Sequence, residues 1–498
     1  MRSHSSVPIT TCKWHARGGS GDRNDPIVIA QIVIGYWAPR PLPRRLTAFL
    51  MPTTSPASLP DYLARSTPRP AAARRPWYSN TAPTYAGIFL WIGFYQAIAN
   101  GTLIHAGLAV SLCALFVAAF LSFGLFYYGP AMLGMRSGLP LYVIGSSTFG
   151  SKGGYLIPGL LMGILQVGWY GVSTDLATRY ILKAIGIPSE AGTWSYLLVA
   201  VVWAYAIAWI AAKGIGYVSK VAIFANIVPL IMILVVALRT APGFESYTPA
   251  DPKPWLGFAL LIQVVTGFFA TAGAAGADFG MENRDARDVR LGGLVGISIA
   301  ILFSGGLTLV AMAGAHSRHP NLDSYNFDVL ISLVGGTIGS IIFVLYAIAS
   351  IPGASFCAFI MGNSFSTMLP RIRRATVIGL GVTFALILAA TGLASHLVPF
   401  FQIIGASFGP VCGAILADYF LSGRVWKGPR KGINWAGYGA WAVGFLIGII
   451  PFMPVSETVK SFAQPATVYS AVAGFVVYWI LAKAGLEPRE LELASQAT

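Results

Sequence analysis

Residues 254–278 read PWLGFALLIQVVTGFFATAGAAGAD, and the one charged side chain among them is Asp278, at the far end. A helix that crosses a bilayer needs about 20 mostly apolar residues, which this stretch supplies. Gly267, Gly273 and Gly276 interrupt its second half, with several alanines between. Small residues at such density allow helices to approach closely. In carriers they also mark places where a helix unwinds and frees backbone groups at mid-membrane depth. From these residues alone both readings stay open.

The same pattern extends along most of the chain. Of 498 residues, 55% are hydrophobic and 10% charged, and the mean hydropathy is +0.68. A soluble domain carries about 25% charged residues, so there are too few here to cover a water-facing surface. Twelve apolar blocks follow residue 83: 84–110, 111–134, 154–185, 194–212, 216–238, 254–278, 291–315, 331–362, 374–393, 395–421, 434–454 and 466–484. They predict an all-α polytopic membrane protein with about 12 transmembrane helices. The period-2 alternation of a membrane barrel is absent. Block one has its own interruptions, Gly93 and Asn100-Gly101. It lies five blocks before block six, which fits a five-plus-five inverted repeat with two extra C-terminal helices.

A net charge of +15 raises the question of nucleic acid, but the placement of the charges answers it. The even-numbered connections hold Arg136 and Lys152; Lys213 and Lys220; Arg284, Arg287 and Arg290; Arg371, Arg373 and Arg374; and Arg424, Lys427, Arg430 and Lys431. The odd-numbered connections and helix ends hold Arg179, Lys183, Arg239, Lys253, Arg318 and Lys460. This asymmetry is the positive-inside signature, and it puts both termini in the cytoplasm of a cell whose inner membrane the chain crosses many times. The implied partner is a lipid bilayer, not a nucleic acid.

Cys113, Cys357 and Cys412 lie inside apolar blocks and Cys12 in the tail, with no metal spacing or disulfide framework. Residues 1–83, rich in Pro, Ser, Thr, Ala and Arg, read as a disordered cytoplasmic tail. Residues 1–50 look unlike an ordinary leader, so Met51 is the expected true start. An intact mass matching Met1 would refute that. Residues 84–484 form the transporter domain, and 485–498 a short cytoplasmic tail. No phosphate-loop motif G-x-x-x-x-G-K-[ST] occurs, so an ion gradient is the simplest driver. No resident cofactor is expected.

Several stretches resemble the nucleobase:cation symporter-1 family, in particular its cytosine-permease branch. They are Leu90-Trp91-Ile92-Gly93, Gly134-Met135-Arg136-Ser137-Gly138-Leu139, and Ser147-Thr148-Phe149-Gly150-Ser151-Lys152-Gly153-Gly154. Gln166-Val167-Gly168-Trp169-Tyr170-Gly171-Val172 is most similar, followed by Ala277-Asp278-Phe279, Ala417-Asp418-Tyr419 and Ile433-Asn434-Trp435. The resemblance covers about residues 84–484. It implies the fold of the sodium-coupled leucine transporter. It also implies import of a nucleobase or related heterocycle (purine, pyrimidine, hydantoin-like or allantoin-like) by symport with Na+ or H+. The alternatives are a carrier of the same fold for a vitamin precursor or amino-acid-like solute, or an intramembrane enzyme. No H-E-x-x-H, Cys/His cluster or mid-membrane aspartate pair supports the enzyme.

A flat heterocycle needs aromatic faces to stack on and a few hydrogen-bonding groups in its plane. Trp169 sits too deep in block three for an interfacial anchor, and the family stacks its substrate on a tryptophan here. By the same resemblance Phe269 covers the other face and Thr271 supplies a hydroxyl. Phe268 stands where cytosine permeases have a small polar residue. Gln96 is a lone amide among apolar residues close to Gly93; it bonds either a substrate edge or another helix. Ser173, one turn after Trp169, is a further candidate. The family's cation site maps to the carbonyls of Tyr95, Ile98 and Tyr346 and the side chains of Ala349 and Ser350. Only Ser350 keeps a hydroxyl there, so proton coupling stays open. In block eight Ile351 cannot bond a base edge, and Pro352 should interrupt the helix. Asp175 and Arg179, four apart, can pair on one helix face.

Overall fold

The structure, a computed structural model, describes residues 59–491. The expected start at Met51 and the tail over 1–58 lie outside the described residues, as do residues 492–498 of the C-terminal tail. Among the described residues there is no strand, only two isolated bridges, Arg75 with Asn283 and Arg430 with Glu490.

Nine helices are long and apolar enough to cross a membrane among the described residues: Leu108–Ser137, Gly153–Ala184, Trp194–Ala212, Gly216–Thr240, Pro254–Ala274, Ala286–Arg318, Gly336–Ser366, Pro399–Leu421 and Ala466–Lys483. The other three blocks form shorter helices. Blocks nine and eleven give Arg374–Ala390 and Trp435–Gly448. Block one is not one helix. It forms two half-helices, Thr81–Phe89 and Ile92–Ile98, separated at Leu90 and Trp91. Residues 99–107, expected inside that block, are turns. Gly101 takes a φ of 73° there, in the left-handed region.

Large side chains stay exposed on the outer flanks: Trp194, Val202, Leu238 and Phe384. In water such patches would drive association; on a membrane-crossing bundle they belong to the flanks that lipid covers. The inner helices pack through small residues. Block two crosses the end of block six at Gly134 and Gly280, where an added Cβ would overlap the carbonyls of Ala277 and Ala131 respectively.

Block six also breaks. Pro254–Ala274 gives way at Ala275 to a short helix, Gly276–Gly280. Breaks thus fall in blocks one and six, the two blocks whose glycine interruptions left unwinding open. Block eight is interrupted at Ser350, just before Pro352. Proline lacks the N–H that would continue the helix.

The tail expectation needs correcting for residues 59–80. This segment carries a short helix, Asp61–Ala64, and buries Tyr62 and Leu63 against the helix ends. Polar composition suggested disorder, but backbone and arginine hydrogen bonds to neighbouring loops order it. At the other end Leu491 N donates to Pro429 O, and Arg489 O accepts from Lys431 N, so residues up to 491 are docked as well.

Candidate substrate site

The breaks in blocks one and six and the interruption in block eight surround one small cavity. Its walls are Ile88 and Trp91 of block one, Gln166 and Trp169 of block three, Phe268, Thr271 and Ala272 of block six, and Gly353, Phe356 and Cys357 of block eight. Trp91 falls in the break itself, with an extended backbone (φ −87°, ψ 146°). Its indole folds back over Gly93, where a Cβ would lie 2.5 Å from the ring. Only glycine leaves that room.

Aromatic rings dominate the site. Trp169 stacks on Phe401 with centroids 4.8 Å apart and planes at 29°. It meets Phe268, Phe400 and Trp91 edge-on at 4.9, 5.3 and 5.6 Å. Phe268 also touches Trp91 and Phe94. With Phe268 in place the free volume is only about 20 Å³, little more than one water.

Two polar atoms in this apolar cage have no partner. Gln166 Oε1 and Trp91 Nε1 are buried without a hydrogen bond, and Gln166 Nε2 reaches only Met162 Sδ at 3.6 Å. A buried unsatisfied group costs about 1–3 kcal/mol. One acceptor and one donor thus stand ready on the walls, beside the Thr271 hydroxyl and the Cys357 thiol. None of the lining side chains carries a charge. The arrangement suits a flat, uncharged ring that donates from one edge and accepts on another.

Of the candidate residues, Trp169, Thr271 and Phe268 line this one cavity. Phe269 does not. It stacks on Phe89 at 5.4 Å and leans on Tyr85 at 5.8 Å, away from the cavity. Successive helical residues point about 100° apart, so 268 and 269 cannot share a face, and Phe268 is the one facing Trp169. Gln96 is also elsewhere. Its Oε1 accepts from Tyr180 Oη at 3.2 Å and Asp328 N at 3.3 Å, and its Nε2 donates to Asp328. It ties helices together. Ser173 is buried with an unpartnered hydroxyl but is not a cavity wall.

Sequence reasoning missed Gln166, Trp91 and Cys357. Gln166 had a signal: it precedes Trp169 by three residues, which puts both on one face.

About a turn and a half beyond Trp169 on block three lies a polar vestibule of about 550 Å³. Gln96, Asn100, Asp175, Arg179, Lys183 and Asp328 line it. Asp175 accepts from Arg179 Nε at 2.9 Å and from Tyr196 Oη at 2.6 Å, and Lys183 pairs with Asp328. The pairing of Asp175 with Arg179 is the one their spacing predicts.

The expected cation positions fall on the second half-helix of block one and on block eight up to its interruption. The Tyr95 and Tyr346 rings meet edge-on at 5.6 Å. Ser350 Oγ donates to Ala347 O at 2.6 Å, and Ile98 O accepts from Thr102 Oγ1 at 2.7 Å. Ala349 offers no side-chain oxygen. Among the described residues, no three His, Cys, Asp or Glu side chains gather as a metal site.

A buried site at broken helices, inside a bundle of membrane-crossing helices, defines a secondary carrier. The family profile described as permease for cytosine/purines, uracil, thiamine, allantoin matches residues 68–480, and the chain belongs to that family. The cytosine permease of Escherichia coli K12 is 24% identical over 343 residues, covering 64% of this chain and 74% of that relative. The structure of Mhp1, a nucleobase-cation-symport-1 family transporter in a closed conformation with bromovinylhydantoin bound, aligns with a TM-score of 0.63. It shares 18% identity and covers 84% of this chain and 94% of that one. A Na+-coupled sialic acid symporter aligns at TM-score 0.56 and 11% identity, over 87% and 93% of the two chains. These structural likenesses show the fold, and the family makes the chain a transporter, not an enzyme.

Proposed function

We propose that this chain imports an uncharged, flat heterocycle of nucleobase, hydantoin or allantoin type by symport with Na+ or H+. Its substrate lies against Trp169 in the central cavity, with Phe268 displaced from the face it now covers. The carrying observation is the pair of buried, unpartnered atoms Gln166 Oε1 and Trp91 Nε1 within the aromatic cage. A ligand that completes both bonds removes two desolvation penalties at once. A cationic ring such as thiamine is the least suited of the family's solutes, because the walls hold no carboxylate. The arginine-rich face is the cytoplasmic one, and both termini lie on that side of the inner membrane.

Uptake of a labelled panel tests this: cytosine, uracil, hypoxanthine, allantoin, substituted hydantoins and thiamine, each driven by a sodium or pH gradient in proteoliposomes. Saturable uptake of a neutral ring that collapses with one of the gradients is expected. Uptake of thiamine alone, or gradient-independent flux, would refute the reading. For the cation, Ser350 with the carbonyls of Tyr95, Ile98 and Tyr346 offers a weak oxygen site of the kind sodium accepts.

A further inference from the structure

Residues 59–80 cross the arginine-rich face as a strap and continue directly into the half-helix Thr81–Phe89. Tyr62 Oη donates to Ser151 O at 2.8 Å, at the start of block three. Arg69 N donates to Gly138 O at 2.8 Å and Arg74 Nη1 to Met135 O at 2.6 Å, both at the end of block two. Glu282, between blocks six and seven, is the hub. Its buried carboxylate pairs with Arg69 at 3.1 Å, and its carbonyl accepts from Arg75 N at 2.6 Å. The half-helix is then pinned in turn. Thr81 Oγ1 bonds Asn283 Oδ1 at 2.7 Å, and Asn226 Nδ2 donates to Pro83 O at 2.6 Å.

We propose that this strap is a latch on the inner gate: it holds the half-helix Thr81–Phe89 shut over the central cavity, and its release from Glu282 opens that cavity to the cytoplasm. The inference rests on reading the arginine-rich face as cytoplasmic. Three features carry it. The break at Leu90 and Trp91 is a hinge, so the nine-residue half-helix can swing without dragging Ile92–Ile98. Ile88 on that half-helix is a cavity wall, so swinging it uncovers the site. The strap from 59 to 80 buries only Tyr62, Leu63 and Asn80. Tyr62 and Leu63 anchor its start, with Tyr62 against Tyr142 and Tyr155, and the rest is held by a handful of polar bonds, each modest, that can let go without unfolding the bundle. Glu282 makes the release costly on its own side, because a carboxylate at 4% exposure loses Arg69, and Arg74 and Arg75 with it, when the strap departs.

Cys357 lines the cavity and reports its opening without any substrate. The parent for the test carries Cys12→Ser, Cys113→Ser and Cys412→Ser, leaving Cys357 as the one thiol. Inside-out vesicles are treated with an impermeant methanethiosulfonate reagent and the labelling rate is measured. Arg69→Ala and Glu282→Gln should each raise that rate about fivefold to tenfold, the worth of one charge-assisted bond. The exchanged pair Arg69→Glu with Glu282→Arg should return it toward the parent. Arg69 is half-exposed, so its variant folds even where Glu282→Gln does not. Parent-like labelling in Arg69→Ala, or an exchanged pair that labels as fast as the single variants, would overturn the latch. Labelling needs no transport, so a failed uptake panel leaves this result intact.

Discussion

Two buried polar regions of this molecule look alike in a residue list and differ in bookkeeping. Around Arg430, between blocks ten and eleven, everything is paired. Arg430 binds Asp418 at 3.1 Å, Glu487 at 3.0 Å and Ser147 O at 2.6 Å. Asp418 takes further bonds from Ser147, Thr148 and Ser422. In the central cavity Gln166 Oε1 and Trp91 Nε1 have nothing. A satisfied network fixes a shape; an unsatisfied pair in a hollow waits for a ligand. Gln96 belongs with the first kind and Gln166 with the second, though both are amides in apolar blocks.

Substitutions can break that contrast. The largest effect is expected for Trp169→Ala, which removes the stacking face and should cut uptake of any substrate found by at least about 100-fold. Wild-type rates would displace the site. Next comes Arg430→Ala, which strands Asp418 and should cost about 3–5 kcal/mol, read as a lower melting temperature in detergent. An unchanged melting temperature would show that this network is not structural. Gln166→Leu should raise KM roughly tenfold while leaving thermal stability unharmed, since it deletes an unpaired group. Gln96→Leu should do the reverse, losing about 1 kcal/mol of stability with KM nearly unchanged. If the two amides behave alike, the distinction fails. The smallest effect is Ser350→Ala, expected to weaken sodium activation roughly threefold. Uptake that ignores sodium from the outset would remove the cation assignment.

The sequence made the architecture legible because lipid imposes a coarse rule that composition obeys. Blocks were placed well where they were long, and poorly at block one, where short apolar runs disguised a break and a turn. The strap was misjudged because its arginines bond to carbonyls brought from distant positions. Trp169 drew notice from its depth in block three together with the family resemblance. Phe268 and Phe269 were not separable, since adjacent residues diverge around a helix and a string of letters has no azimuth. Gln96 could not be told from Gln166 because its partners are remote: Tyr180 is 84 positions away and Asp328 is 232.

Phe268 has one more consequence. By standing edge-on against Trp169, it leaves about 20 Å³ of free space between the walls. Such a gap does not support a file of hydrogen-bonded water. Solute entry is therefore coupled to a side-chain rotation: anything larger than one water has to turn the Phe268 ring aside before it reaches the Trp169 face.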